Sequence, residues 1–354
     1  MTNSQILTPE TQMSRREMLR KSSNGFGALA LSALLADPAY SALGNQAVSS
    51  RQLPGFRPRA KHVIFCYMSG GCSHLDSFDP KPRLQKEAGK PLPMKVERTM
   101  FNNNGNIFPS PFRFEHRGQS GMEISDMFPH VAECADDLAV IRSMTSKVNE
   151  HAQANYFFHT GFPFAGHPSA GAWISYGLGT ENKDLPGFVV LQAGGATTPI
   201  GGVSMMSSAY LPAQHQASIL RADSKDAVRN IRSSESPLVQ RARLDLMKRF
   251  DRGFLKTVGG EPQVEAAVKN YETAYNMQAA VPELCDLSKE SESIKRLYGI
   301  DSGDRQKAAY ARQALLARKL VERGVRFVEL SCITEGIGAG NSGNPWDQHG
   351  DLER

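Results

Sequence analysis

Short apolar runs and longer stretches of helical periodicity alternate along the chain from about residue 61 onward. Lys61-His-Val-Ile-Phe-Cys-Tyr-Met68 is an apolar run that ends in Ser69-Gly70-Gly71, the pattern of a buried strand entering a tight loop. Periodic spacing predicts a helix over Ile124–Asp136, and Leu138-Ala-Val-Ile-Arg142 predicts a second strand. Helices follow over Glu150–His159 and Ala170–Leu178, with a third strand at Gly187-Phe-Val-Val-Leu191. Gly194–Ala213, rich in Gly, Ser and Met, reads as loop. Ser236 and Pro237 supply an N-cap and a first-turn proline for a helix reaching about Leu255, and another helix is predicted over Gln263–Ala280. The clearest unit is Asp304–Arg323, which Gly324 stops ahead of a strand over Val325–Cys332. This alternation predicts an α/β fold with a mainly parallel central sheet and helices on both faces. In such sheets, ligands collect beyond the C-terminal ends of the strands.

The N-terminus has a different pattern. Ser14-Arg15-Arg16-Glu17-Met18-Leu19-Arg20-Lys21 is followed by a weakly apolar stretch, Gly25–Ala36, and by small residues around Ala39-Tyr40-Ser41-Ala42. This is the order of a signal peptide with a twin-arginine n-region. The expected organisation is a signal over residues 1–42, a linker over 43–60 and one domain over 61–354. The expected partners are the twin-arginine translocase and signal peptidase, and the destination is the periplasm or cell envelope. The apolar run falls short of the roughly 20 residues a bilayer requires, and no later segment is long and apolar enough, so no transmembrane span is expected. The twin-arginine route carries folded cargo, which fits a protein that takes up a metal before export.

Composition narrows the picture only a little. The chain is 40% apolar and 22% charged, ordinary for a globular protein, with a net charge of +5. The basic residues are scattered rather than striped, which argues against nucleic-acid binding. Five cysteines form no C-x-x-C pair, and Cys66 and Cys332 fall in strand-like runs where a small buried hydrophobe is expected. An exported chain also permits a disulfide, which the sequence does not assign.

Candidate chemistry gathers in three loops. Ser69-Gly-Gly-Cys-Ser-His74-Leu-Asp76-Ser-Phe-Asp79 follows the first strand, Thr145–Asn155 with Glu150 and His151 follows the second, and Trp346-Asp347-Gln-His349-Gly-Asp351 follows the last. His74 with Asp76, and Asp347 with His349, have the nitrogen and oxygen donors and the spacing of divalent-metal ligands on loops. Taken singly, each pair reads as an ordinary turn with a capping carboxylate; three such loops on neighbouring strands predict a shared polar or metal site. His159, His167 and His215 lack such company and read as structural or surface residues.

Ser69-Gly-Gly-Cys-Ser-His-Leu-Asp-Ser-Phe-Asp-Pro-Lys-Pro82 resembles the opening motif of an exported bacterial family, domain of unknown function 1501. Glu150-His-Ala-Gln-Ala through His159-Thr-Gly161, Gly187–Leu191, Leu320–Leu330 and Trp346-Asp-Gln-His-Gly350 resemble its later motifs in the same order. The resemblance implies a fold similar to sulfatases and alkaline phosphatases. It further implies two divalent metals, zinc or calcium, a Ser, Thr or Cys nucleophile, and hydrolysis of phosphate or sulfate esters, with a phosphorylated or sulfated small molecule or glycan as ligand. Counting back from Thr160-Gly161, the nucleophile position holds His151, and Asn155 stands where sulfatases carry an arginine. Thr145 and Ser146 lie six and five residues before His151. His151 is thus expected as nucleophile or ligand, and His74, Asp76, Asp347 and His349 as metal ligands. Family members continue past the Trp-Asp-x-His-Gly motif, so the resemblance also implies a chain incomplete at its C-terminus, with a sheet edge exposed. A non-catalytic glycan- or protein-binding domain, or a structural envelope component, is the alternative expectation.

Overall fold

In a computed structural model, the structure describes residues 59–94, 105–193, 199–224, 226–258, 262–331 and 346–347. The expected signal and most of the expected linker lie outside the described residues, as do Cys332 and His349. The chain divides into two units after Ala60, and the second, residues 61–354, holds every described element of the fold.

Its elements run β1 Val63–Tyr67, α1 His74–Ser77, α2 Pro82–Lys86, β2 Phe114–Arg117, β3 Met122–Ser125, α3 Pro129–Ala132, α4 His151–Thr160 and α5 Ala170–Leu178. They continue as β4 Phe188–Gln192, β5 Ser218–Arg221, α6 Pro237–Val258, α7 Pro262–Cys285, α8 Glu292–Tyr298, α9 Arg305–Glu322 and β6 Phe327–Ser331. Four strands form one sheet in the order β1-β6-β4-β5. Every pairing in it is parallel, with Tyr67 opposite Ser331 and Phe188 opposite Phe327. The class is α/β, as the alternation predicts.

The period of two along the strands sorts their side chains between two layers. Val189, Leu191, Val328 and Leu330 pack with Leu316 and Leu320 of α9 and Met277, Val281 and Leu284 of α7. Phe188, Val190 and Phe327 turn to the opposite face, against Met205, Met206, Tyr156 of α4 and Ile174 of α5. Helices therefore cover both faces, and the central strands β4 and β6 are buried along their whole length. At about 25 cal/mol per Å² of apolar surface removed from water, this two-sided burial is the main stabilising term. β1 is an edge strand, and its Val63, Ile64 and Cys66 are exposed. Cys66 is thus not the buried hydrophobe expected of it, because among the described residues only one side of β1 has a neighbouring strand.

The helix predicted over Ile124–Asp136 and the strand predicted over Leu138–Arg142 are both corrected. Ile124 and Ser125 end β3, which pairs antiparallel with β2, and only Pro129–Ala132 is helical before a 3-10 turn at Ala135–Asp137. The reason lies in the turn. Gly118 and Gly121 both take positive φ, and the Asp136 carboxylate accepts the amides of Gln119 and Ser120 at 2.9 and 2.8 Å. That carboxylate closes the hairpin from outside it, so local periodicity does not reveal it. Leu138–Arg142 forms no strand and has no sheet partner; Ile141 is 68% exposed. The Glu150–His159, Ala170–Leu178 and Gly187–Leu191 elements stand where the spacing predicts, and α6 and α7 run slightly longer than predicted.

Candidate functional site

All strands of the sheet point the same way, so the loops after β1 and β6 leave at the same edge. After β1 the chain turns through Gly70 and Gly71, both at positive φ. A Cβ on Gly70 would lie 2.5 Å from the Asp347 amide nitrogen and 2.9 Å from the Trp346 carbonyl carbon, so only glycine fits there. The Trp346 amide donates to the Ser69 carbonyl at 3.1 Å, and the Trp346 ring stacks on Phe128 at 5.7 Å. The post-β6 segment is thereby seated on the post-β1 turn, which brings Asp347 to the strand ends.

The third contribution comes from α4. Its N-cap is Glu150, whose carboxylate accepts the amides of Ala152 and Gln153, each at 3.0 Å. These two hydrogen bonds hold the Glu150 carboxyl below its ordinary range. They also occupy the amides that an oxyanion would use at a helix N-terminus. His151 opens the helix, and its Nε2 lies 3.2 Å from Asp347 Oδ2, with the side chains 40% and 12% exposed. Because Leu138–Arg142 is not a strand, His151 reaches the strand ends by way of α4 and not by way of a strand-end loop.

Other expected ligands are less closely assembled. His74 is exposed at the start of α1, whereas Asp76 is buried. No hydrogen bond from another described residue reaches the Asp76 carboxylate, although Asp79, three residues on, is held by Lys81 at 2.8 Å with Arg142 at 3.8 Å. The Lys81 hydrogen bond, and then the Lys81 charge, keep the Asp79 carboxyl below its ordinary range. Among the described residues, no group of three or more His, Cys, Asp and Glu stands together as a metal cage. His349 lies outside them.

Residues 60–354 match the family described as a protein of unknown function (DUF1501). The chain belongs to this family. No curated protein matches it, and no solved structure does.

Beneath the His151–Asp347 pair, this DUF1501 chain carries a buried polar network that no single motif announces. His151, Asn155 and His159 are spaced by four, which places them along one side of α4. Asn155 accepts from the Tyr67 hydroxyl and donates to the Ile200 carbonyl at 2.7 Å. His159 Nε2 meets Glu329 Oε1 at 3.1 Å, with side chains 3% and 1% exposed, and His159 Nδ1 meets the Asn155 carbonyl at 2.8 Å. Burial works against a charged His159, yet the hydrogen bond and charge of Glu329, with the Asn155 carbonyl, outweigh it and raise its pKa. Two signals in the sequence point to the network: the four-residue spacing, and Glu329 as the single acid inside the apolar run of β6. His159 is buried, as a structural residue is expected to be, and Glu329 is the partner that its sequence neighbours do not show.

Proposed function

We propose that the strand-end loops form a hydrolytic site for phosphate or sulfate esters in a domain related to the sulfatase and alkaline phosphatase fold, acting in the periplasm or cell envelope. The observation that carries this reading is the His151–Asp347 pair. Two donor atoms on one tetrahedral zinc at about 2.1 Å stand roughly 3.4 Å apart, close to the 3.2 Å between His151 Nε2 and Asp347 Oδ2. An imidazole nitrogen and a carboxylate oxygen are also the donor types zinc takes. On this reading His151 serves as a ligand and not as the nucleophile. His349, two residues beyond Asp347, is the next donor on this reading. His74 and Asp76, whose carboxylate is buried, do not stand in one cluster with the pair among the described residues and join it only if the post-β1 loop closes on the ion.

A bound divalent cation, zinc or calcium, supplies positive charge for the ester oxygens and acidifies water. The protein's own residues position and orient. The first turn of α4 presents His151 beside Asp347, and Gly70 fixes where Asp347 stands. The Tyr67–Asn155–His159–Glu329 network anchors α4 to β1 and β6. Because Glu150 fills the first-turn amides, developing charge on the ester must be met by the cation and not by the helix N-terminus.

Metal analysis of the purified protein, combined with a phosphatase and sulfatase substrate panel, tests the proposal. One bound divalent ion or more is expected, with hydrolysis of at least one ester class. Asp347→Asn, which exchanges an anionic donor for a neutral one, should lower the metal retained. A metal-free protein that is inert on every ester and unchanged by His349→Ala overturns it.

One observation favours a second reading, a binding domain without turnover. The nucleophile position holds His151, and the nearby hydroxyls Thr145 and Ser146 are exposed and precede α4. A glycan array that shows retention without product release supports this reading. Binding unaffected by changes in all three loops counts against it.

A further inference from the structure

The opposite edge of the sheet, where strands begin, carries a second concentration of polar groups. An open cleft of about 860 Å³ lies between the Gly179–Gly187 connection ahead of β4, the 3-10 turn Ala213–His215 ahead of β5, and α7. At its wall His215 Nδ1 meets the Ser175 hydroxyl at 2.9 Å, and His215 Nε2 meets Gln214 Nε2 at 3.0 Å. A Cβ on Gly187 would stand 2.9 Å from Ser175 Oγ, so glycine there leaves the hydroxyl its place beside the imidazole. Burial, and then the charge of Lys269, hold the His215 pKa below the ordinary imidazole range, which leaves the ring neutral near pH 7.

The charge around this cleft does not balance. Its charged lining groups are Lys183, Lys269 and Glu272. Glu272 is already paired with Lys248 at 2.6 Å, and among the described residues neither Lys183 nor Lys269 has a carboxylate partner. Two cations without a counter-charge therefore face a concave surface set with amide and hydroxyl groups.

We propose that this cleft binds a compact oxyanion carried on a small polar molecule. Lys183 and Lys269 supply the opposing charge, and Gln214 and Ser175, each with a proton left after its contact with His215, supply hydrogen bonds. The proposal does not depend on the hydrolytic reading, since none of its residues belongs to the strand-end site.

Isothermal titration of the full chain with sodium sulfate, phosphate or acetate, at matched ionic strength against chloride, tests it. Saturable binding of at least one anion is expected, and the arms distinguish tetrahedral from planar oxyanions. Lys183→Gln with Lys269→Gln should weaken binding at least about tenfold, and because both lysines are exposed, circular dichroism should be unchanged. Gln214→Ala should weaken it less. The His215 resonance provides a second readout: the bound anion should raise its titration midpoint in wild type and leave it unmoved in the double variant. No saturable heat with any of the three anions, or equal affinity in the double variant, overturns the proposal.

Discussion

His159 and Glu329 show how much a single buried pair depends on its partner. Both side chains are almost fully enclosed, so truncating one strands the other without water or counter-charge. Glu329→Ala should cost about 3 to 5 kcal/mol, read as a fall in urea midpoint, because it leaves His159 facing an apolar cavity. A loss below about 1 kcal/mol would show that the network is not holding α4 on the sheet. The same substitution separates positioning from catalysis: Glu329 is buried away from the solvent-facing strand-end pair, so its effect on ester turnover should follow α4 displacement. His151 and Asp347, by contrast, are partly open and are expected to govern metal retention more than stability.

At the scale of elements, the site rests on one turn and one cap. Gly70→Ala places a Cβ against the Asp347 backbone and demands a positive φ of 110° from a residue with a side chain. It should cost about 1 to 3 kcal/mol and, more tellingly, unseat Trp346 and Asp347. Reduced tryptophan burial by quenching, together with lost metal, is the expected pair of readouts; unchanged quenching would contradict the seating. Glu150→Ala removes the α4 cap and should cost about 1 kcal/mol in thermal or denaturant unfolding. It also frees the amides of Ala152 and Gln153, so oxyanion inhibitors such as phosphate should bind more tightly in this variant than in wild type. An unchanged inhibition constant would mean that the helix N-terminus does not face the site. Periodicity made α4, α5, β4, α9 and β6 legible because each is a long or strongly patterned segment whose burial follows its own sequence. It misread 124–142, where Asp136 closes a hairpin from 17 and 16 residues away and Pro129 opens a helix of a single short turn.

For the molecule as a whole, the shifted groups set a pH profile. Asp79, Asp136, Glu150 and Glu290 all have lowered pKa values, so their contribution is present above the ordinary carboxylate range and is lost as the solution is acidified below it. His159 is raised, so its contribution is complete below the ordinary imidazole value and fades as pH climbs through the higher folded value. Burial also pushes the Cys285 thiol up to about 11, which adds to the loss at alkaline pH. His215 is lowered and acts in the opposite sense, losing its contribution as the solution is acidified below the ordinary imidazole value. Stability should therefore fall away in acid with the carboxylates and in alkali with His159 and Cys285. Urea midpoints across the mildly acidic to mildly alkaline range check this, and His159→Gln should flatten the neutral-to-alkaline limb. A His159→Gln variant whose neutral-to-alkaline limb falls as steeply as that of wild type would contradict the direction assigned to His159. No described helix is long and apolar enough to cross a membrane.

The sequence alone determined the α/β class, the strands β4 and β6 with their helices, and family membership through its ordered motifs. It also marked His151 and Asp347 as residues worth watching, on separate segments nearly two hundred positions apart. These features are local: an apolar run, a helical period, a motif read in place. Tertiary structure alone decided that His151 meets Asp347, that Glu329 meets His159, and that the predicted second strand has no place in the sheet. Each depends on which strand lies beside which, here β1 against β6, and strand order is settled by packing two faces at once. A polar residue in one segment shows its role only when its distant partner has been brought within hydrogen-bonding reach.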